Sequence, residues 1–285
     1  MCKNTDMPAK TSSEMIIRPG RESLSSQIAE FAQYRELLYF FVWKNLKVRY
    51  SQAILGASWA LLQPLLTASI LALLLGRFAR VPTDGASPFL FYLAAMVPWT
   101  YFASAVTTAT ASLVNNQALI LKIYFPRLCL PVAGVLSALV DLAVPLTVLL
   151  GVIAVTGRAD VFPGALVAVP LLLLVATMAA AGLGIGLAAL NLRFRDVTHI
   201  LPFVIQTLFF ASPIIYSASQ LPESLRLPYF LNPMAAVIDG FRAVLLQTHP
   251  FSWMTTALGT ASAAAMLLLG VIYFERTQHR FADVA

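Results

Sequence analysis

Asp141 is the one acidic residue inside a long apolar stretch of the sequence, which runs from 128 to 157. If that stretch crosses a bilayer, a charge there costs about 2.5–3.5 kcal/mol on insertion scales, so the carboxyl group must be protonated, paired or in contact with water. It can line a translocation path or a subunit seam, or it can be a single buried hydrogen-bonding group that orders its helix. A proton-driven carrier normally shows several intramembrane acids or histidines, so a lone Asp disfavours that mechanism.

A second group of charges lies in the short segment 191 to 196, between two apolar stretches, and consists of Arg193, Arg195 and Asp196. Such a turn usually anchors the topology of a membrane protein and holds an Arg to Asp ion pair. From the residues alone, this structural role is favoured over a functional one.

Aromatic side chains follow helical spacing in two apolar stretches. The candidates for a pore lining are Tyr92, Trp99, Phe102, Phe209 and Tyr216. Tyr and Trp are rigid amphipathic plates that can slide along the CH faces of sugar rings. The same residue types gather in the interfacial belts of most membrane proteins, and position alone favours the belt.

Catalytic and metal chemistry have no visible motif. The sequence contains no GxxxxGK[ST] nucleotide-binding loop and no clustered carboxylates or His pair, and we assign no catalytic residue and no metal ligand. Cys2 and Cys129 are expected to be plain thiols, because a metal site would need more ligands nearby. If transport is driven by ATP, then ATP and Mg²⁺ bind a separate ATPase chain.

The elements that must position these residues are membrane helices. Of the 285 residues, 59% are apolar and 11% charged, and mean hydropathy is +0.78, which excludes an ordinary soluble domain. Since about 20 apolar residues cross the hydrocarbon core, the apolar stretches predict an all-α protein with six spans. Their approximate bounds are 55 to 76, 89 to 112, 130 to 156, 164 to 190, 199 to 217 and 253 to 274.

The basic residues predict the orientation of these spans. The net charge is +6, and Lys and Arg number 14 on the face that holds both termini against 5 on the other face. Positively charged short loops stay in the cytoplasm, so both termini are predicted to be cytoplasmic. The same asymmetry accounts for the basic pI, and binding to nucleic acid is disfavoured.

The polar ends of the chain divide into three parts. Residues 1–24 are expected to form a flexible cytoplasmic tail, residues 25–50 an amphipathic helix in the headgroup plane, and residues 276–285 a second cytoplasmic tail. The helix is inferred from bulky residues at 3 or 4 spacing with Lys44, Lys47 and Arg49 near its end. The alternative is a simple cytoplasmic cap on the first span. The permease domain between them covers 51–275.

Two further segments are expected to shape the bundle. Gly182 and Gly186 form a GxxxG pattern, which lets helix backbones approach closely. The segment 218 to 251 contains several prolines and two apolar pieces that can dip into the bilayer as short re-entrant helices, which is tolerated where they are buried in protein or line a cavity.

Several motifs, in this order, resemble the membrane subunits of type-2 ABC exporters, and most of all the permeases that export lipid-linked polysaccharide such as O-antigen, capsule or teichoic acid. They are VRYSQAILGASWALLQPL at 48–65, FP at 125–126, NLRFRDV at 191–197, SPIIY at 212–216, LP at 221–222, and NPM at 232–234 followed by Arg242. The resemblance implies a homodimer of this chain joined to two cytoplasmic ATPase subunits.

The resemblance also implies roles for particular residues. The loop 112 to 128 would carry the helix that couples to the ATPase, through Asn116, Gln117, Lys122 and Arg127. The turn at Arg195 and Asp196 would be a clasp near the inner mouth of the pore. The external segment would form an outer gate with the polar residues Asn232, Asp239 and Arg242.

The sequence therefore predicts a permease subunit, not an enzyme, in the bacterial inner membrane. Its passenger would be a polyprenyl-linked polysaccharide, as in lipopolysaccharide biosynthesis. A type-2 exporter of a drug or lipid is the nearest alternative, and an integral-membrane transferase acting on lipid-linked sugars is a more distant one.

Overall fold

A computed structural model describes residues 34–51, 58–123, 125–156 and 162–278 of the chain. The predicted tail 1–24, the first part of the amphipathic helix and the end of the second tail lie outside the described residues. Within the described part, the secondary structure consists of helices and connecting turns, with no strand. The expectation of an all-α multi-pass membrane protein is confirmed.

The chain forms ten α-helices within the described residues, some of them only one or two turns long. They are α1 (Arg35–Tyr50), α2 (Ser58–Leu71), α3 (Pro88–Ala111), α4 (Gln117–Ile120), α5 (Cys129–Val155), α6 (Phe162–Arg193), α7 (Val197–Phe210), α8 (Glu223–Tyr229), α9 (Pro233–Leu246) and α10 (Trp253–Gln278). α2 continues as a π-helical stretch, Ala72–Phe78, and a 3-10 turn, Val114–Asn116, precedes α4.

Five helices of the described part are long and apolar enough to cross a membrane: Ser58–Phe78, Pro88–Ala111, Cys129–Val155, Gly164–Arg193 and Trp253–Gln278. Each overlaps one of the predicted spans. α8 and α9 together make a sixth candidate, but they are bent by 107° where they meet. The prediction of short re-entrant helices before the last span matches this bent pair.

The predicted span 199 to 217 is shorter in the structure. α7 ends at Phe210 after 14 residues, which corresponds to about 21 Å of rise against a hydrocarbon core of about 30 Å. The helix cannot continue through the SPIIY motif, because Pro213 disfavours helical geometry at Ser212 and donates no backbone hydrogen bond. The carbonyl groups freed at Ile214 and Tyr216 accept hydrogen bonds from Arg242 instead.

α3 is the central helix of the bundle. Of its most apolar window, 78% is buried inside the protein, compared with 11% for Ser58–Phe78. α3 packs against α2, α5, α6 and α9, and it supplies most of the aromatic part of the main hydrophobic core. The residues it presents to its neighbours therefore define most of the interior.

α6 and α10 pack backbone to backbone through glycine. A Cβ atom placed on Gly270 would lie 2.1 Å from the carbonyl oxygen of Gly182, and one placed on Gly182 would lie 2.5 Å from the backbone nitrogen of Leu267. Neither position has room for a side chain. The close approach predicted from the GxxxG pattern is therefore present, and the partner helix is α10.

Both described ends of the chain lie at one end of the bundle, which we call the terminal end. There the Phe41 and Phe125 rings are 5.6 Å apart, and Lys44 Nζ donates to Asn116 Oδ1 at 2.6 Å. Arg127 Nη1 donates to the carbonyl oxygen of Gln278 at 2.9 Å. We call the opposite end, with the loop 79–87 and the segment 211–252, the distal end.

Candidate functional site

A cavity of about 990 Å³ opens among α1, α2, α3, α5 and α7. Its aromatic lining comprises Trp59, Trp99, Tyr101, Phe209 and Phe210, together with Tyr50. Between the rings lie amide and hydroxyl groups, contributed by Gln63, Thr67, Thr100, Ser104, Thr107, Thr108 and Gln206. The cavity therefore combines flat apolar surfaces with groups that can donate and accept hydrogen bonds.

Asp141 lines this cavity and is paired. Its carboxylate forms an ion pair with Arg49 and accepts a hydrogen bond from the Tyr50 hydroxyl at 2.7 Å. Arg49 Nη2 also donates to Thr108 Oγ1 at 3.0 Å. Burial, followed by the hydrogen bond to Asp141, raises the pKa of Tyr50 to about 12, so its hydroxyl keeps its proton at neutral pH. Of the three states open to Asp141, the structure selects pairing at the cavity wall.

The sequence did not identify the partners of Asp141. In the sequence, Arg49 has the pattern of an interfacial charge like Lys44 and Lys47, and nothing local distinguishes Tyr50. Both lie more than 90 positions from Asp141 in the chain, and the last turn of α1 brings them to the middle of α5. No local spacing carries such a signal.

The structure separates the predicted pore residues into two groups. Trp99 and Phe209 line the cavity, and their rings are 5.6 Å apart in an edge-to-face arrangement. Phe102 is 2% exposed and stacks behind Trp99, so it supports the wall without forming it. Trp59, which the aromatic pattern missed, lies on the wall one turn before Gln63.

The other two aromatic candidates, Tyr92 and Tyr216, lie toward the distal end and do not line this cavity. The Tyr92 side chain is fully buried, and its hydroxyl donates to the carbonyl oxygen of Ile215 at 3.4 Å. The Tyr216 hydroxyl is 2.9 Å from that of Tyr229. Tyr92 lies about two helical turns from Trp99 on α3. The aromatic stripe on this helix therefore runs from the cavity into the distal core.

The four predicted coupling residues differ in their surroundings. Asn116 does not cap α4; its amide accepts from Lys44 and donates to the carbonyl oxygen of Ser112 at 2.7 Å. Arg127 is tied to Gln278, and Gln117 is half-buried at the start of α4. Lys122 is exposed between Leu121 and Ile123, which are 60% and 58% exposed. We call Leu121, Lys122 and Ile123 the terminal tip.

The turn after α6 does not contain the expected ion pair. Arg193, Arg195 and Asp196 are all exposed, and among the described residues no ion pair joins either arginine to Asp196. The Arg193 guanidinium lies 4.9 Å from the centre of the Phe194 ring instead. An exposed Arg to Asp pair contributes little in water, so the turn loses little stability without it.

Asn191 holds this turn, and it is not among the site residues predicted from the sequence. Its side chain is buried, donates to the carbonyl oxygen of Thr110 at 3.1 Å and accepts from Thr198 Oγ1 at 2.8 Å. It thus links α3, α6 and α7. A polar residue in the last turn of an apolar helix is the available signal, although the basic residues that follow it are the stronger feature of the segment.

At the distal end, the side chain of Arg242 is almost completely buried, and its charged guanidinium group is hydrogen-bonded to backbone carbonyl groups. It donates to the carbonyl oxygens of Phe91 at 3.2 Å, Ile214 at 2.9 Å and Tyr216 at 3.2 Å, and it also contacts that of Pro213. Its guanidinium lies 3.5 Å from the centre of the Phe91 ring. Arg242 therefore joins α9 to α3 and to the turn after α7.

The other two outer-gate candidates also fix α9. Asn232 accepts from the backbone N–H of Met234 at 3.0 Å, which caps the helix, and donates to Ser212 Oγ at 3.0 Å. Asp239 lies 3.2 Å from His249 Nε2, and this hydrogen bond raises the pKa of His249.

Asp84, which was not predicted, accepts from Ser219 Oγ at 2.9 Å and from Ser217. It ties the loop 79–87 to the same distal region. Polar contacts from α9 and from this loop therefore hold the segments of the distal end together.

Comparison of the sequence with known proteins shows which family the chain belongs to. The family model described as "ABC-2 type transporter" matches residues 36–246. An O-antigen export system permease protein RfbA of Myxococcus xanthus is 30% identical over 265 residues, which cover 90% of this chain and 98% of the relative. A protein of the same name from Klebsiella pneumoniae is 26% identical over 249 residues, covering 87% of this chain and 95% of the relative.

Proposed function

We propose that this chain, which belongs to the ABC-2 type transporter family, is the membrane-spanning permease of an exporter that moves lipid-linked O-antigen across the bacterial inner membrane. The observation that carries the proposal is near full-length similarity to permeases named for O-antigen export. The chain is a transporter subunit, and ATP and Mg²⁺ would bind a separate ATPase.

The cavity supports a glycan as the passenger. Sugar rings present CH faces that pack on aromatic side chains and hydroxyl groups that need hydrogen-bond partners. Trp59, Trp99 and Phe209 provide the first kind of contact, and Gln63, Thr100 and Gln206 provide the second. Weak contacts of both kinds along a wall suit a polymer that has to move.

The exposed polar residues around the cavity support a second copy of this chain as a partner. Gln63 and Gln206 are exposed on α2 and α7 although both helices are apolar. A polar side chain facing lipid is unfavourable, so these amides must face water or a protein neighbour. Two copies placed cavity to cavity would enclose a conduit and remove both amides from the lipid.

The terminal tip supports an ATPase contact on the same side as the chain ends. Leu121 and Ile123 are exposed apolar residues on either side of Lys122, outside the candidate spans. We propose that this tip enters a cleft of the ATPase, that this side faces the cytoplasm, and that Asn116 and Arg127 hold the tip in position.

Deletion of the gene in its native host tests the function. We expect the long-chain O-antigen ladder to disappear from the cell surface and lipid-linked polymer to accumulate inside, with both effects reversed by a plasmid copy. Surface O-antigen that is unchanged in the deletion strain would contradict the proposal. If the plasmid copy restores efflux of a drug or lipid to the deletion strain, and not O-antigen export, the alternative passenger is favoured.

A further inference from the structure

We propose that Arg49 is an anion-binding residue of the cavity, which Asp141 holds while the cavity is empty and which moves to a phosphate group of the lipid-linked passenger when it enters. This inference deepens the proposed function and rests on it. Three features of the cavity carry it: the charge balance of the wall, the unequal exposure of the two partners, and the second hydrogen bond to Asp141.

The charge balance of the wall leaves one cation for an entering anion. Among the described residues that line the cavity, Arg49 and Asp141 are the charged ones, and they neutralise each other. An anionic group inside a low-dielectric cavity requires a positive partner. Within the described lining, that partner can only be Arg49.

The two members of the pair differ in their freedom to move. The Asp141 side chain is 11% exposed and short, and it projects from the middle of α5. The Arg49 side chain is 31% exposed, long, and attached to the last turn of α1. If the pair opens, the guanidinium is therefore the group that moves.

Asp141 keeps a hydrogen bond when Arg49 leaves. Removing one partner of a buried ion pair is strongly unfavourable when the remaining charge has no other partner. The Tyr50 hydroxyl already donates to Asp141 at 2.7 Å, and the carboxylate borders an open cavity. These contacts lower the free energy needed for the exchange.

The guanidinium also has the geometry that a phosphate needs. Arg presents a planar fork that binds phosphate oxygens through two parallel hydrogen bonds. In the structure, one terminal nitrogen contacts Asp141 and the other donates to Thr108 Oγ1. A phosphate can replace both acceptors together, because each of its oxygens accepts hydrogen bonds.

Calorimetry on the complex of the chain with its ATPase, in nanodiscs of zwitterionic lipid, tests this exchange. The probes are farnesyl diphosphate and farnesol, which differ in the diphosphate group. We expect the wild type to bind the diphosphate about tenfold or more tightly than the alcohol, since charge-assisted hydrogen bonds are strong. Arg49→Gln should lose this preference, Arg49→Lys should keep part of it, and Arg77→Gln, at an exposed arginine away from the cavity, should retain it.

Asp141→Asn separates the exchange from a purely structural clasp. If Asp141 competes with the passenger for Arg49, removing its charge should tighten diphosphate binding several-fold while farnesol binding stays constant. In the clasp model, Arg49→Gln and Asp141→Asn lower the melting temperature but leave the ratio of the two affinities unchanged. That result, in protein that remains assembled, would overturn the inference.

Two further arms assign the source of the phosphate and separate this inference from the proposed function. In nanodiscs with anionic lipid, a larger fall in diphosphate affinity for the wild type than for Arg49→Gln identifies lipid headgroups as competitors for Arg49, and equal falls assign the site to the passenger; both outcomes support phosphate as the ligand. If the deletion strain loses surface O-antigen but Arg49→Gln keeps its diphosphate preference, only the present inference fails. Normal surface O-antigen in that strain would contradict the proposed function itself.

Discussion

In the part of the bundle that the structure describes, Arg49 and Arg242 place positive charge in the interior, and each is held in a different way. Arg49 is paired with an acid at the cavity wall, whereas Arg242 is buried and bound by backbone carbonyl groups from α3 and from the turn after α7. The first arrangement can exchange partners. The second fixes three segments at once, because its acceptors belong to the backbone and cannot rotate away.

Replacing Arg242 should destabilise the distal end. In Arg242→Gln the carbonyl groups of Phe91, Ile214 and Tyr216 lose their common donor, and we expect the free energy of unfolding to fall by about 3 kcal/mol. Scanning fluorimetry of the purified protein in detergent should show this loss as a lower melting temperature. Arg226→Gln is the matched control, since the exposed Arg226 donates to the carbonyl oxygen of Ser219 near the surface. Equal melting temperatures for the two variants would contradict the anchoring role.

His249 should make stability depend on pH. The hydrogen bond to Asp239 raises the pKa of His249, against an opposing effect of burial, so the folded state favours the protonated ring. Its contribution is complete below the ordinary pKa of about 6.5 and is lost as pH rises through the raised value. We expect the melting temperature to fall over that range in the wild type. The His249→Gln variant should lack this step, and an identical pH profile for the variant would rule out the pair as its origin.

The contact between α6 and α10 depends on the absence of side chains at Gly182 and Gly270. Gly270→Val would place atoms against the carbonyl oxygen of Gly182 and force the helices apart, so we expect a loss of about 3 kcal/mol or more, or failure to assemble. Fluorescence-detected size-exclusion chromatography reports assembly and melting together. Gly151→Val is the control, because nothing lies within 4 Å of a Cβ atom at that position. Normal assembly of Gly270→Val would show that the helices can separate without harm.

The terminal tip should mediate contact with the ATPase without affecting the fold. We expect Lys122→Glu combined with Leu121→Ser to insert and melt normally but to co-purify with much less ATPase than the wild type. Arg127→Glu should behave differently and lower stability, since Arg127 is bonded to the backbone of Gln278. If the tip variant retains a full complement of ATPase, the coupling surface lies elsewhere.

Each assembled exporter should contain two copies of the chain. Native mass spectrometry of the complex should give two chains of 30.9 kDa together with two ATPase subunits. The physical reason is the open cavity with Gln63 and Gln206 exposed beside it. A complex with one copy of this chain would contradict the shared conduit and would leave those amides facing lipid.

The sequence predicted the parts of this architecture that follow from hydrophobicity and helix breakers. Apolar stretches gave the long helices, and the prolines between 222 and 250 indicated the bent pair α8 and α9. The predicted length of α7 was wrong. The apolar stretch continues through SPIIY, but Pro213 prevents the helix from continuing there. The partners of Asp141 and Arg242 could not be predicted from the sequence. Arg49 lies 92 positions from Asp141. The partners of Arg242 are backbone carbonyl groups, which every residue has, so no residue type marks them.

The glycine contact between α6 and α10 has a consequence for biogenesis. α10 is made after every other described helix, so the groove on α6 stays vacant until α10 has been synthesised. A product that stops before α10 leaves the Gly182 surface of α6 uncovered in the bilayer. Completion of the α6 surface therefore reports that translation has continued through α10.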